Sequence, residues 1–195
     1  HEQLISISMN NGVVERAEFP ATQGTRYITT SIPSVLGIAI STTSTSTPED
    51  TFVLPPKLLA VSDIEGNLNH LIEFLQFHNV IDKEFNWSWG VNHLLFNGDS
   101  VDRGDQVTEL LWFIRKLQQQ AIEEGGYVHV VLGNHEAMIL ANDIRYTHPK
   151  YKFVAKRIGI PYHDLFSEQS ILGDWLRAQN SFVQVGEYLF VHAGY

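Results

Sequence analysis

The sequence predicts an α/β fold built on a largely buried sheet, and two observations carry that prediction. From Lys57 onward, short apolar runs alternate with stretches of helical periodicity. Every such run is read as ending in a polar, metal-capable residue with a glycine close by, at Asp63, Asp99, Asn134 and His192. Open α/β sheets place ligand sites at the carboxyl ends of their strands, so these ends are expected to converge on one pocket.

The first 57 residues stand apart, rich in Thr, Ser and Ile, with a Ser/Thr run from Ser41 to Thr47. β-Branched residues at this density point to strands or an extended arm; a flexible polar linker is the alternative for residues 41–50. Pro48, Pro55 and Pro56 punctuate the passage onward. Leu58-Leu59-Ala60-Val61 reads as a buried strand ending at Ser62-Asp63. Leu68, Leu71, Ile72, Leu75 and Val80 then recur at helical spacing. Leu94-Leu95-Phe96 is a second strand, ending at Asn97-Gly98-Asp99. Val107, Leu110, Leu111, Ile114 and Leu117 mark an amphipathic helix over 105–122. A third strand, Tyr127 to Leu132, ends at Gly133-Asn134-His135. Residues 137–181 read as a polar, mostly helical insert with breaks at Pro149 and Pro161. Tyr188 to Val191 is a further strand, ending at His192-Ala193-Gly194. The organisation expected is an arm over 1–57 and a domain over 58–195, with the insert at about 137–181.

A chain of 195 residues suits one sizeable core. Its net charge of −9 argues against a nucleic-acid partner, which needs a basic surface. A phosphoester substrate stays open, because divalent metals would make a local positive site. The longest apolar candidate, Ile32 to Ile40, contains Pro33 and Gly37 and falls short of the roughly 18–20 residues of a membrane span. No membrane partner is expected, and a soluble protein is, with the cytoplasm favoured over the periplasm. The absence of cysteine removes disulfides and thiolate ligands, so any metal must be held by Asp, Glu, Asn or His.

Asp63, Glu65, Asp99, Asn134 and His192 are the candidate metal ligands. Their oxygen and nitrogen donors suit Mn, Fe, Zn or Mg. Two ions a few ångströms apart need a shared carboxylate, and Asp99 is the candidate bridge. Such a pair acidifies a water and polarises a phosphoryl group. His135 is the candidate general acid, with Asp102 to fix its tautomer and raise its basicity. Arg103 offers a planar fork to phosphate oxygens, with Asn134 and His135 beside it. The bland alternative for each of these residues alone is turn chemistry, since Asp, Asn and Gly are common at strand ends. His129 reads as a core residue; His148 and His163 lie in the insert, where they could approach the pocket. Trp87 and Trp89 read as core packing.

The segments Asp63-Ile64-Glu65-Gly66-Asn67, Gly98-Asp99-Ser100-Val101-Asp102-Arg103-Gly104, Gly133-Asn134-His135-Glu136 and His192-Ala193-Gly194 together resemble the motif series of the calcineurin-like metallophosphoesterases. More narrowly they resemble the phosphoprotein phosphatase superfamily, and the long helical insert resembles its bacterial Shewanella-like branch. The resemblance covers residues 58–195. It implies a calcineurin-like sandwich of mixed β-sheets flanked by helices. It implies two divalent ions with a bridging hydroxide: Asp63, residue 65 and Asp99 on one ion, Asp99, Asn134 and His192 on the other. It also implies that Asp102 supports His135 and that Arg103 holds phosphate, in a hydrolase of phosphoprotein or of a small phosphomonoester.

Two departures matter. The family's usual histidine in the first segment is Glu65 here, which would make that ion's ligands all oxygen and favour Mn or Mg over Zn. The alternative is that Glu65 points away and the site is weak. Members also carry a further histidine ligand well downstream of His192, so the domain is expected to be incomplete at its C-terminus and completed by a further segment or a second chain. A nucleotide or dinucleoside-polyphosphate hydrolase is the competing enzyme, and a non-catalytic metal- or phosphate-binding module the competing class.

Overall fold

The structure, a computed structural model, describes residues 3–10, 13–20, 26–27, 39–40 and 45–193. Most of the apolar run at 32–40, the first four residues of the Ser/Thr run and Gly194 lie outside the described residues. Near the N-terminus, β1 (Gln3–Asn10) and β2 (Val13–Pro20) pair antiparallel, as do the short β3 (Arg26–Tyr27) and β4 (Ala39–Ile40).

The site stands on two further sheets. In the first, β6 (Leu58–Val61), β7 (His93–Asn97) and β8 (Tyr127–Val131) run parallel in that order. The second joins β5 (Thr51–Phe52), β9 (Phe182–Val185) and β10 (Tyr188–Val191), with β5 parallel and β10 antiparallel to β9. Two residues of the segment read as an arm therefore complete a sheet of the body. Helix α1 (Leu68–Phe77) follows β6 and α2 (Val107–Glu123) follows β7. Helix α3 (Asn134–Leu140) opens directly after β8, followed by α4 (Pro149–Ile158), a 3₁₀ turn at Tyr162–Phe166 and α5 (Ile171–Arg177).

The period-two geometry of a strand explains why the middle of β7, Leu94-Leu95-Phe96, is apolar on both faces. Leu94 and Phe96 join the large core with Leu71, Leu75, Leu110, Ile114 and Leu117 of the helices. Leu95, on the opposite face, packs with Val131, Val183 and Val185 against the second sheet. Both faces of the parallel sheet are thus covered, by helices on one side and strands on the other. Each such side chain contributes about 1.5–3 kcal/mol through burial. Val80 continues the α1 stripe into the core, although the helix ends at Phe77. Trp87 is buried and Trp89 packs against the same core.

The structure corrects one expectation. Strand β9, not anticipated from the sequence, does not end at the site: Val185 leads through Gly186 and the exposed Glu187 into β10, and Glu187 is not among the clustered acidic and histidine side chains. A hairpin partner must send one of its two strands away from the site, and β10 is the one that returns to it. Among the described residues, no helix is long and apolar enough to cross a membrane.

Candidate metal centre

Three loops leave the parallel sheet at its carboxyl edge, and backbone hydrogen bonds join the first two beyond the strands. Asp63, Glu65 and Gly66 donate their N–H groups to the carbonyls of Gly98, Asp99 and Ser100, at 3.1, 2.9 and 3.0 Å. Gly104 N–H returns to the Glu65 carbonyl at 2.9 Å, and a Cβ at Gly104 would collide with that backbone. Gly133 abuts Asp99 so closely that a Cβ there would overlap its carboxylate. Glycine at these two positions lets the loops touch.

Five residues singled out from the sequence share an uncommon backbone. Asp63, Glu65, Asp99, Asp102 and Arg103 have φ of 56°, 47°, 54°, 68° and 55°. Left-handed backbone is unusual outside glycine and costs of order 1–3 kcal/mol per residue, and such residues gather at functional sites. The same backbone turns these side chains toward one another. Asp63, Asp99 and His192 each place a ligand atom within 4.8 Å of the others, and so do Glu65, Asp99 and His135. Asp99 belongs to both groups, as a bridging carboxylate would.

His192 shows how well a cation would fit. Its Nδ1 donates to the Asn97 carbonyl at 2.7 Å, which leaves Nε2 toward the site. There Nε2 meets two oxygens, Asp99 Oδ2 at 3.1 Å and Asn134 Oδ1 at 3.1 Å. Three lone-pair donors facing one point need a proton or a metal between them. Burial alone would lower the His192 pKa; the Asn97 carbonyl and then the carboxylates of Asp99, Asp63 and Glu136 outweigh it and raise it.

Glu65 does not point away. Its carboxylate faces the site and pairs with Arg103 Nε at 2.9 Å. His135 is 3% exposed. Its Nδ1 lies 2.9 Å from Asp102 Oδ2, and its Nε2 lies 3.4 Å from an Arg103 guanidinium nitrogen. An Nδ1–H donated to Asp102 leaves Nε2 facing Arg103.

Residues 56–195 match the family described as calcineurin-like phosphoesterase. The chain belongs to that family. Among curated relatives, Shewanella-like protein phosphatase 2 of Arabidopsis thaliana is 33% identical over 99 residues, 51% of this chain and 25% of that protein. The symmetrical bis(5'-nucleosyl)-tetraphosphatase of Methylococcus capsulatus is 31% identical over 142 residues, 70% of this chain and 42% of that protein. The crystal structure of a cold-active protein-tyrosine phosphatase from a psychrophilic Shewanella species superposes with a TM-score of 0.85 at 30% identity, over 99% of this chain and 58% of that one. The chain thus spans less than two thirds of each. The likeness to calcineurin-like phosphatase structures extends to the sheets flanked by helices.

Among the described residues, no other histidine joins the groups around Asp99. His148 caps α4, its Nδ1 accepting from Lys150 N–H at 3.2 Å. His163 pairs with Asp164 at 3.0 Å. His129 is 2% exposed and lies 2.9 Å from His93, in the core as expected.

Glu136 closes the Gly133–Glu136 segment and has no role legible from its position as a candidate ligand. Its carboxylate is 2% exposed and accepts N–H groups from Asp99, Ser100, Val101 and Gly133, at 2.9, 2.7, 3.2 and 2.8 Å. Burial pushes its pKa up, opposed by the backbone donors of Gly133, Asp99 and Ser100. The signal was available: a Glu three residues after a helix-capping position reaches back to that residue's N–H.

Proposed function

We propose that this chain carries the metal-binding half of a phosphoester hydrolase that acts on phosphoprotein or a small phosphomonoester, with two divalent ions bridged by Asp99. The convergence of His192 Nε2, Asp99 Oδ2 and Asn134 Oδ1 carries this reading. Asp63 and Glu65 would complete the other ion's ligands with Asp99, and manganese suits that all-oxygen set better than zinc. When bound, such ions would acidify a water and draw charge from the phosphoryl oxygens.

The chain's own groups do the rest. Arg103, on the rim of the site, takes the phosphate oxygens in its fork, releasing Glu65. Asn134 and His135 would add contacts to the same phosphate. His135, oriented through Nδ1 by Asp102, gives the Nε2 proton to the leaving oxygen. Because the chain spans less than two thirds of the length of its relatives, activity is read on the full-length protein. Full-length protein loaded with manganese should turn over p-nitrophenyl phosphate and stop when the metal is chelated. Metal binding without turnover would instead favour a non-catalytic module.

The tetraphosphatase relative supports a second reading, hydrolysis of a dinucleoside polyphosphate. Turnover of phosphopeptide against dinucleoside tetraphosphate, at the same metal loading, separates the two.

A further inference from the structure

Asp102, the group that orients His135, is 1% exposed, and its two carboxylate oxygens are divided between two elements. Oδ2 faces His135 Nδ1 at 2.9 Å. Oδ1 accepts a hydrogen bond from the Thr147 hydroxyl at 3.2 Å. Thr147, itself 4% exposed, lies in the turn between α3 and α4, outside every segment that carries the metal ligands. The same turn reaches the loop a second time. The Tyr146 carbonyl accepts the Arg103 N–H at 3.0 Å, and the Tyr146 ring centroid lies 5.2 Å from that of His135. Asp102 and Arg103 both hold left-handed backbone, so this bracing falls where the loop is least content to stay.

We propose that Thr147 is a positioning residue for the phosphoester hydrolysis, acting through Asp102 on His135. The proposal rests on the hydrolase reading above. A carboxylate bound through one oxygen turns easily about its last torsion, which has no sharp staggered wells. The Thr147 hydroxyl occupies the second oxygen and fixes the carboxylate plane, and the imidazole follows that plane. A β-branched side chain, stiff at χ1, suits the task.

The step it serves balances simply. A water oxygen bonds to phosphorus as the bond from phosphorus to the leaving oxygen breaks. The electron pair stays on the leaving oxygen and the Nε2 proton of doubly protonated His135 joins it, while a proton of the attacking water leaves through the phosphate product and restores His135. A basic leaving group such as phenolate needs that proton; 2,4-dinitrophenolate leaves as a stable anion without it. Loss of acid alignment therefore depends on the leaving group, and loss of packing does not.

The test uses metal-loaded full-length protein, with Thr147→Val, which keeps the shape, and Thr147→Ser, which keeps the hydroxyl. On phenyl phosphate, Thr147→Val should lower kcat by about tenfold, a fraction of what a general acid supplies, with KM little changed. On 2,4-dinitrophenyl phosphate the loss should be far smaller, and Thr147→Ser should recover most of the phenyl phosphate rate. Equal losses on both esters, or no loss on phenyl phosphate, would overturn the role. A parent protein that turned over neither ester would overturn the hydrolase reading itself, and Thr147's part with it.

Discussion

Glu136 Oε2 accepts the Asp99 backbone N–H at 2.9 Å and the Gly133 N–H at 2.8 Å, so one buried carboxylate ties the second loop to the third. Oε1 adds Ser100 and Val101. Glu136→Gln puts an amide NH₂ where N–H groups converge. The variant should lose about 1–3 kcal/mol of stability, the cost of buried donors left unpaired. Urea unfolding reads this directly; an unchanged midpoint would show that the loops hold without Glu136.

The His135–Asp102 contact predicts the strongest catalytic effect. His135→Ala should lower kcat on p-nitrophenyl phosphate by about 10²-fold or more. Asp102→Asn should also lower it, because an amide does not fix the tautomer a carboxylate fixes. A His135→Ala protein as fast as its parent would remove His135 from the chemistry.

Arg103 is half-exposed and offers Nε to Glu65 at 2.9 Å. Lysine keeps the charge and loses the planar fork, so Arg103→Lys should raise KM for a phosphomonoester by about tenfold. Steady-state kinetics checks this; an unchanged KM would mean that Arg103 does not hold the phosphate.

Glu65 predicts the metal. Reconstitution with manganese or magnesium should give more turnover than zinc, and Glu65→His should move the preference toward zinc. Preferential activity of the parent with zinc would contradict an all-oxygen first site.

His129 predicts an acid weakness remote from the site. Burial, then the neighbouring His93, lowers its pKa from 6.5 to about 3. The folded protein thus keeps His129 neutral while the unfolded chain takes up a proton below 6.5. The stability involved is fully present above pH 6.5 and is lost as pH falls from 6.5 toward 3, by up to about 1.4 kcal/mol per pH unit. His129→Gln should flatten the fall in urea midpoint between pH 6.5 and 5. An equally steep fall would place the acid sensitivity elsewhere.

The parallel sheet was legible because β6, β7 and β8 carry short, mainly apolar runs, each followed within three residues by Asp63, Asp99 or Asn134. Strand β9 was not: Phe182-Val183-Gln184-Val185 is four residues long, with Gln184 breaking its apolar pattern. Two-residue β5 leaves almost no pattern to read. At the site, Asp63, Asp99, Asn134, His135 and His192 were readable from local spacing, and the structure brings them together. Thr147 was not, since its partner Asp102 lies 45 residues away and only the fold brings them together. Glu65 was visible as a departure, but its pairing with Arg103 emerges only from the left-handed backbone of both residues.

Anomalous diffraction from crystals of the manganese-loaded full-length protein tests the central claim most directly. Two peaks should flank Asp99, one beside Asn134 and His192 and one beside Asp63, with a Glu65 oxygen about 2.0–2.3 Å from the latter. A single peak, or none in contact with Asp99, would contradict the two-metal centre.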